Sequence, residues 1–475
     1  MNREALLKLE KEEIIDILFA IIEQQAKTIE QLTAKVSELE ARLNQNSKNS
    51  SNPPSSDKFV KPKPQSLRKP SGKKAGGQQG HKGNGLHITQ EPTDYVTHSP
   101  SDCANCIHAD TCTAIKQVGE TRYNVDIVVE TTTTAHQSVY VLCPKSNKII
   151  YGEFPNHITG TIQYGVNLEA LAISLNTIGA VSVNRTHEIL SSVFNVPIST
   201  GTISNMVSGC AKAVHSSVQE IKEAVEVSPV IHNDETGIRI DKKNFWAHVS
   251  STALLSYIAI HCKRGREAME SIGVLLNYYG TSIHDCLAAY FTFDGMRHGL
   301  CNAHLLRELT AVVENTKQKW AQDLIELLLE MKACKENLMA KGNPKPSRKT
   351  LKKYSNRYDE LLAIALEQNP ILPKIDKRKP KRGKTGALVD RLILRKDGFL
   401  LFFTDFTVPF DNNQAERDIR MFKTKQKVSG CFRTVQGADD YAAIMSYVGT
   451  ARKHGVPAFL AIRNALLGSP FSVMC

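Results

Sequence analysis

The sequence predicts an α/β chain: a mixed sheet with helices around it, preceded by a coiled coil, a small cysteine-containing β-module and a helical region. Three observations predict this. Apolar residues recur in an unbroken 3-4 alternation over 15–43, strand-like and helical periods alternate over 230–285, and cysteines gather between 103 and 143. At roughly 100–200 residues per domain, 475 residues make two to four folded units. An apolar fraction of 41% with 23% charged residues excludes wholesale disorder. Sixty Lys+Arg against 48 Asp+Glu leave a net charge of +12, which favours an anionic partner such as nucleic acid. A membrane is not the expected partner, because no stretch approaches the ~18 apolar residues that span a bilayer. The apolar residues 14–22 are interrupted by Asp16 and follow Glu10, Lys11, Glu12 and Glu13, unlike a signal peptide. Eleven scattered Cys, an odd number, point to the reducing cytoplasm instead of a disulfide framework.

Residues 1–43 read as a dimerisation helix. Ile15, Ile22, Ile29, Val36 and Leu43 fall at one seam position and Leu18, Gln25, Leu32 and Leu39 at the other, a pattern that favours a parallel dimer. The alternative is an amphipathic helix packed on its own domain. Residues 44–91 read as a linker, whose stretch 44–85 is basic through Lys48, Lys58, Lys61, Lys63, Arg68, Lys69, Lys73, Lys74 and Lys82 against the single acid Asp57. Such a segment could lie along a phosphate backbone or serve as a solvated tether. In 92–155, strands are expected at 123–130 and 138–143. Cys103-x2-Cys106 has zinc-knuckle spacing, and Cys143 to Ser146 looks like a second knuckle whose last ligand is Ser. Four thiolates assemble around Zn²⁺ only if Cys112 joins Cys103, Cys106 and Cys143; otherwise the module holds free thiols. Residues 160–225 read as helices, with a break at 195–199 and Ser199 or Thr200 capping the next helix. That outline suits a helix-turn-helix or plain scaffolding.

Residues 228–310 open with strands at 230–240, 245–249 and 254–261, a helix at 264–277 and a further strand at 281–285. Three consecutive strands, a crossover helix and a parallel strand are the opening of a ribonuclease-H-like sheet, in which Asp234 and Asp285 lie side by side. A final core segment, 398–435, supplies Glu416 in a helix that Asp411 can cap. Three carboxylates so close ionise together only if cations join them, and two Mg²⁺ or Mn²⁺ ions would do so. Arg417, Arg420, Lys423, Lys425, Lys427 and Arg433 surround Glu416 and suit a phosphodiester substrate. Between the second and third acids, 311–397 reads as a helical insertion whose run Lys377, Arg378, Lys379 could grip DNA or be a solvated loop. Residues 436–475 form a C-terminal helical segment. Asp294 rivals Asp285 for the second acid. Cys301-x2-His304 is read as structural or near-site polar groups, with metal binding as the alternative.

Asp234-Glu235-Thr236, His284-Asp285-x4-Tyr290, Cys301 to Leu309 (CNAHLLREL) and Asp411 to Arg417 (DNNQAER) resemble motifs of the insertion-sequence 66 family of transposases. So do Asn49 to Asp57, Gly76 to Gly83, the cysteine module and the 165–214 helices, which occur in the family's order. The resemblance implies a bacterial, nucleoid-associated DNA transposase with Asp234, Asp285 and Glu416 as its DDE triad. It also implies double-stranded DNA ends and target as partners, a homodimer or higher assembly, and small companion proteins of the same element. Two departures stand out: the incomplete second knuckle, and Cys286 where Gly or another small residue is usual. The competing readings are a non-catalytic DNA-binding protein and a structure-specific nuclease.

Overall fold

The computed structural model describes residues 10–46, 48–50, 91–371 and 383–473, apart from 99, 105, 115, 116, 128, 156, 157 and 159. Most of the linker cations expected to meet DNA, and Lys377, Arg378 and Lys379, lie outside the described residues. The chain divides into a small unit, Pro64–Glu130, and a larger one holding everything else. The small unit contains a short helix α2 (Ser101–Ala104) and a 3-10 turn (Ala109–Thr111). The strand expected at 123–130 does not form: its described residues have no ladder partner, and those from Tyr123 to Ile127 are exposed.

In the larger unit, helix α1 (Lys11–Leu43) carries the heptad seam. Ile15, Leu18, Ile22, Ile29, Leu32, Val36, Leu39 and Leu43 are all exposed, so the seam is not packed on this chain's own domain. The first residues after α1 are ordered, against the expectation of a linker. Asn49 is buried and donates to Glu314 Oε2 at 2.6 Å and to the Asn44 carbonyl at 3.0 Å. Strands β1 (Tyr140–Leu142) and β2 (Ile149–Tyr151) form a hairpin that places Cys143 in its turn. The second strand of this hairpin was not expected from sequence.

Helices α3 (Val166–Asn176), α4 (Val183–Val193), α5 (Thr200–Ala213) and α6 (His215–Glu226) follow. Ser182 and Ser199 cap α4 and α5, accepting from Arg185 N and Thr202 N. The helical region is not self-contained. Ile173, Leu190, Ile203 and Cys210 share one core with Ile444, Tyr447 and Val448 of α14 (Val435–Lys453) and Ile462 of α15 (Ala458–Leu466). The α4–α5 pair is thus embedded in a core completed by the C-terminal helices.

The sheet has five strands in the order β5-β4-β3-β6-β7. Strands β3 (Val230–Ile240), β4 (Lys243–Ser251) and β5 (Ser256–His261) form an antiparallel meander. Helix α7 (Arg266–Ile272) crosses over, ending at Gly273 in the left-handed conformation, so it is shorter than the sequence period suggests. Strands β6 (Thr281–His284) and β7 (Arg297–Leu300) then run parallel to β3. Strand β7, four residues containing Arg297, His298 and Gly299, has too little apolar content to be read from sequence.

Helices α8 (Asn302–Thr316), α9 (Lys319–Ala340), α10 (Arg348–Gln368), α11 (Gly383–Leu394) and α12 (Lys396–Thr404) follow, and the outer two run past both limits of the 311–397 insertion. These helices pack their own core around Trp320, Leu324, Tyr358 and Phe402, continuous with Ile283 and Leu300 of the sheet. Helix α12 lies tight on β7: a Cβ on Gly398 would meet Leu300 Cδ1 at 3.0 Å and the His298 carbonyl oxygen at 3.1 Å. Helix α13 (Asn413–Ser429) covers the opposite end of the sheet, where Ala415, Ile419 and Phe422 pack on Ile238 and Ile240.

Gly398→Val should therefore push α12 off β7 and cost about 1–3 kcal/mol of stability by overpacking. The measurement is a lower denaturant midpoint at unchanged slope; an unchanged midpoint would mean that α12 is free to shift.

Candidate active site

Successive residues of a strand face opposite sides of a sheet, so Asp234 and Glu235 separate. Asp234 shares its face with Ile238 and Ile240, the side that α13 covers. Strands β3 and β6 are parallel with His232 opposite Ile283; two residues further along each chain, Asp234 comes level with Asp285. Asp285 lies just past the end of β6, and Leu287 N donates to its Oδ1 at 3.0 Å. Glu416 lies in the first turn of α13. Burial first, then repulsion from Glu235, Asp285 and Glu416, holds the Asp234 carboxyl well above the usual carboxylate range. The structure thus brings the three expected acids into one electrostatic cluster. The rival Asp294 is exposed and outside it.

Glu416 reaches this cluster because Asn412 anchors the start of α13. Asn412 is buried; it donates from Nδ2 to the Asn233 carbonyl at 2.8 Å, pairs through Oδ1 with His232 Nδ1 at 2.9 Å, and gives its amide to Cys301 Sγ at 3.2 Å. Asn412, not Asp411, is the N-cap residue; Asp411 Oδ1 accepts from the Asn413 amide at 3.1 Å. Beside Glu416 Oε1 stand His304 Nδ1 at 3.7 Å and Arg307 Nη2 at 3.8 Å. Among the described residues one group of three metal-ligating side chains has its ligand atoms within 4.8 Å of one another: Cys301, His304 and Glu416. Cys301-x2-His304 is therefore near-site, with His304 Nδ1 3.2 Å from Cys301 Sγ and burial pushing the thiol up to about 12.

Cys103, Cys106 and Cys112 of the small unit are exposed and form no such group. Cys143, in the hairpin turn, has its thiol pKa lowered by hydrogen bonds from Ser146.

The sequence reading missed Glu235 and Arg264 as parts of the site. The Glu235 side chain is fully buried, receives Tyr290 Oη at 2.8 Å, and takes Arg264 Nε at 2.9 Å and Nη2 at 2.8 Å. Tyr290 in turn stacks on His284, with ring centroids 4.3 Å apart. A lone Arg in a loop 29 residues from its carboxylate partner carries no local signal, although Glu235 and Tyr290 stand inside the quoted motifs. Cys286 has φ +69°, which explains why a residue without a Cβ suits this position.

Of the cations read as DNA contacts, Arg417, Arg420, Lys423 and Lys427 lie exposed along one face of α13, and Arg433 is exposed beyond it. Lys425 is a correction. Its spacing turns it into the protein, where Nζ donates to the carbonyls of Asn176 at 2.6 Å and Val181 at 3.2 Å. Burial lowers its pKa to about 8.

Two outcomes follow. Lys425→Met should leave the salt dependence of DNA binding unchanged, whereas Arg420→Ala should reduce its slope by about one, as measured by binding titrations at several salt concentrations. Because the folded pKa of Lys425 lies below the unfolded value, its contribution to stability is present above pH ~10.5 and lost as pH falls through about 8. Unfolding titrations should show wild type gaining on Lys425→Met between those limits. Separately, Cys286→Gly should keep the denaturant midpoint of unfolding, whereas Cys286→Val, which puts a β-branched residue at positive φ, should lower it.

No helix among the described residues is long and apolar enough to cross a membrane. A family of unknown function matches residues 3–87, and a search of curated proteins finds no match. The model of the Transposase IS66 family matches residues 161–440, a stretch that begins before the helical region and includes all three clustered acids. That match covers more than half of the sequence, and the chain belongs to the IS66 family of transposases.

Proposed function

We propose that this transposase cleaves DNA at insertion-sequence ends and joins the freed 3′-hydroxyls to target DNA, with Asp234, Asp285 and Glu416 as the acids of a two-metal site. The observation that carries the reading is the convergence of three carboxylates from β3, the end of β6 and the first turn of α13, where burial first and then the charges of Glu235, Asp285 and Glu416 raise the Asp234 pKa. The strand order, with an antiparallel meander followed by two parallel strands, supports a ribonuclease-H-like core.

The donor set fits divalent cations. Glu416 Oε1 is buried with no hydrogen-bond partner among the described residues, and like charges around Asp234 would be relieved by a cation. Mg²⁺ or Mn²⁺ bound there would activate the attacking oxygen and stabilise the leaving one. The remaining work belongs to the chain. The Leu287 amide fixes Asp285, Asn412 fixes the start of α13, and the exposed cations of α13 with Arg433 hold the DNA backbone. The exposed seam of α1 pairs with that of a second copy as a parallel coiled coil, which would hold two DNA ends together.

On DNA carrying the element's own ends, Asp234→Asn, Asp285→Asn and Glu416→Gln should each lower Mg²⁺-dependent cleavage and strand transfer by about 10³-fold or more. Each should keep the affinity for those ends and the salt dependence of binding. Full activity in all three variants would sink the triad assignment, and tight binding by a wild type that never cuts would favour a DNA-binding protein without catalysis.

A further inference from the structure

Arg264 is placed with unusual firmness for a side chain that is two-fifths exposed. Its Nε donates to one oxygen of buried Glu235, Nη2 stands 2.8 Å from the same oxygen, and its guanidinium carbon lies 5.0 Å from the centroid of the Trp246 ring. Tyr290 Oη holds the other Glu235 oxygen, at 2.8 Å. The guanidinium plane is thereby fixed from two sides. Its remaining donors are not consumed. Nη1 has no hydrogen-bond partner among the described residues, and Nη2 stands 3.8 Å from Asp285 Oδ2, beyond hydrogen-bond reach.

As a stabilising device this pair is poor, because desolvating Glu235 offsets much of the attraction. As an orienting device it is effective: a planar donor fork, always protonated, is held at the rim of the acid cluster with N–H groups to spare. Asp285 alone does not account for that arrangement, since a dedicated ion pair would close to about 2.8 Å.

We infer that Arg264 binds the phosphodiester at the acid cluster, donating from Nη1 and Nη2 to a non-bridging oxygen, with Glu235, Tyr290 and Trp246 holding it in place. The inference rests on the reading of Asp234, Asp285 and Glu416 as the catalytic acids. In the step concerned, the oxygen of water or of a 3′-hydroxyl forms a new P–O bond and its proton passes to solvent. The P–O bond to the leaving oxygen breaks, and that oxygen keeps the electron pair. Arg264 exchanges no proton; its hydrogen bonds strengthen as charge grows on the equatorial oxygens.

The test uses the full-length protein in single-turnover cleavage of the element's end DNA. Arg264→Gln should slow cleavage about 10²–10³-fold while the Kd for uncut ends stays within about threefold, and Arg264→Lys should recover part of the loss. The specific readout is a methylphosphonate at the scissile position, tested as its two separate diastereomers. One diastereomer should slow wild type strongly yet add no further penalty in Arg264→Gln. If both diastereomers penalise wild type and variant alike, or if Arg264→Gln cuts at the wild-type rate, the assignment is wrong. Should Arg264→Gln unfold because Glu235 is left unpaired, Glu235→Gln/Arg264→Gln removes that charge and must show the same missing penalty. A wild type that never cuts in Mg²⁺ or Mn²⁺ would overturn the catalytic reading itself, a result distinct from normal cutting by the Arg264 variants.

Discussion

The site depends on one constraint: several carboxylates must be kept close together in a partly buried place without a permanent counter-charge on each. The two-residue period of β3 meets part of it. Asp234 and Glu235 are consecutive and so face opposite sides of the sheet; burial raises the pKa of both, and they differ in their partners. Glu235 is matched by the Arg264 guanidinium and the Tyr290 hydroxyl. Among the described residues Asp234 receives only the backbone amide of Glu235, at 2.9 Å, and is left buried beside the charges of its neighbours. One acid is structural and satisfied; the other is left in want of a cation. A one-residue slip of β3 would exchange these roles and turn Ile238 and Ile240 away from α13 as well. The apolar packing therefore fixes which acid is which.

The third acid arrives from 131 positions beyond Asp285, and much of that distance goes into helices α8 to α12, whose core is continuous with Ile283 and Leu300 of the sheet. What returns it to the sheet is a set of hydrogen bonds centred on Asn412, which joins β3, Cys301 and the start of α13. Cys301 contributes as a buried acceptor for that amide, which is a sufficient reason for a cysteine there without any metal. Helix α14 then packs beside α13 on the sheet and continues into the core of the helical region. The third acid and the upstream helices are thus supported by the same C-terminal segment.

Much of this was legible in the sequence because it is periodic or punctuated. Strands β3 to β6, the capped helix after Ser199 and the helix carrying Glu416 follow from alternation, apolar spacing and capping residues. Other parts have no such signature. Strand β7 is four residues long and exists because it is parallel to β6 and covered by α12. The apolar alternation at 123–130 reads as a strand but finds no ladder partner among the described residues. Lys425 has the same composition signal as Arg420 and Lys427, and only its position on the helix turns it inward. Arg264 is invisible for the opposite reason: it is a loop residue whose contact is with Glu235 on β3, 29 residues away.

Part of the net charge lies along the same helix that carries the third acid. Glu416 sits in the first turn of α13, where the helix dipole favours a negative group, and Arg417, Arg420, Lys423 and Lys427 continue along the outer face. At 1.5 Å per residue, the distance from Glu416 to Lys427 is about 16 Å, which spans roughly five phosphates of one DNA strand at ~3.4 Å each along the duplex axis. On the proposed reading, a strand whose reacting phosphate lies at Glu416 has its next phosphates beside these cations. The cations neutralise charges that the chemistry leaves untouched, so they set affinity and its salt dependence, whereas the acids act only at the one phosphate that reaches them. Helix α1 stands outside this division of labour. With nine acids against six bases in residues 1–43, it is ill suited to DNA and well suited to meeting another copy of itself through its exposed apolar seam.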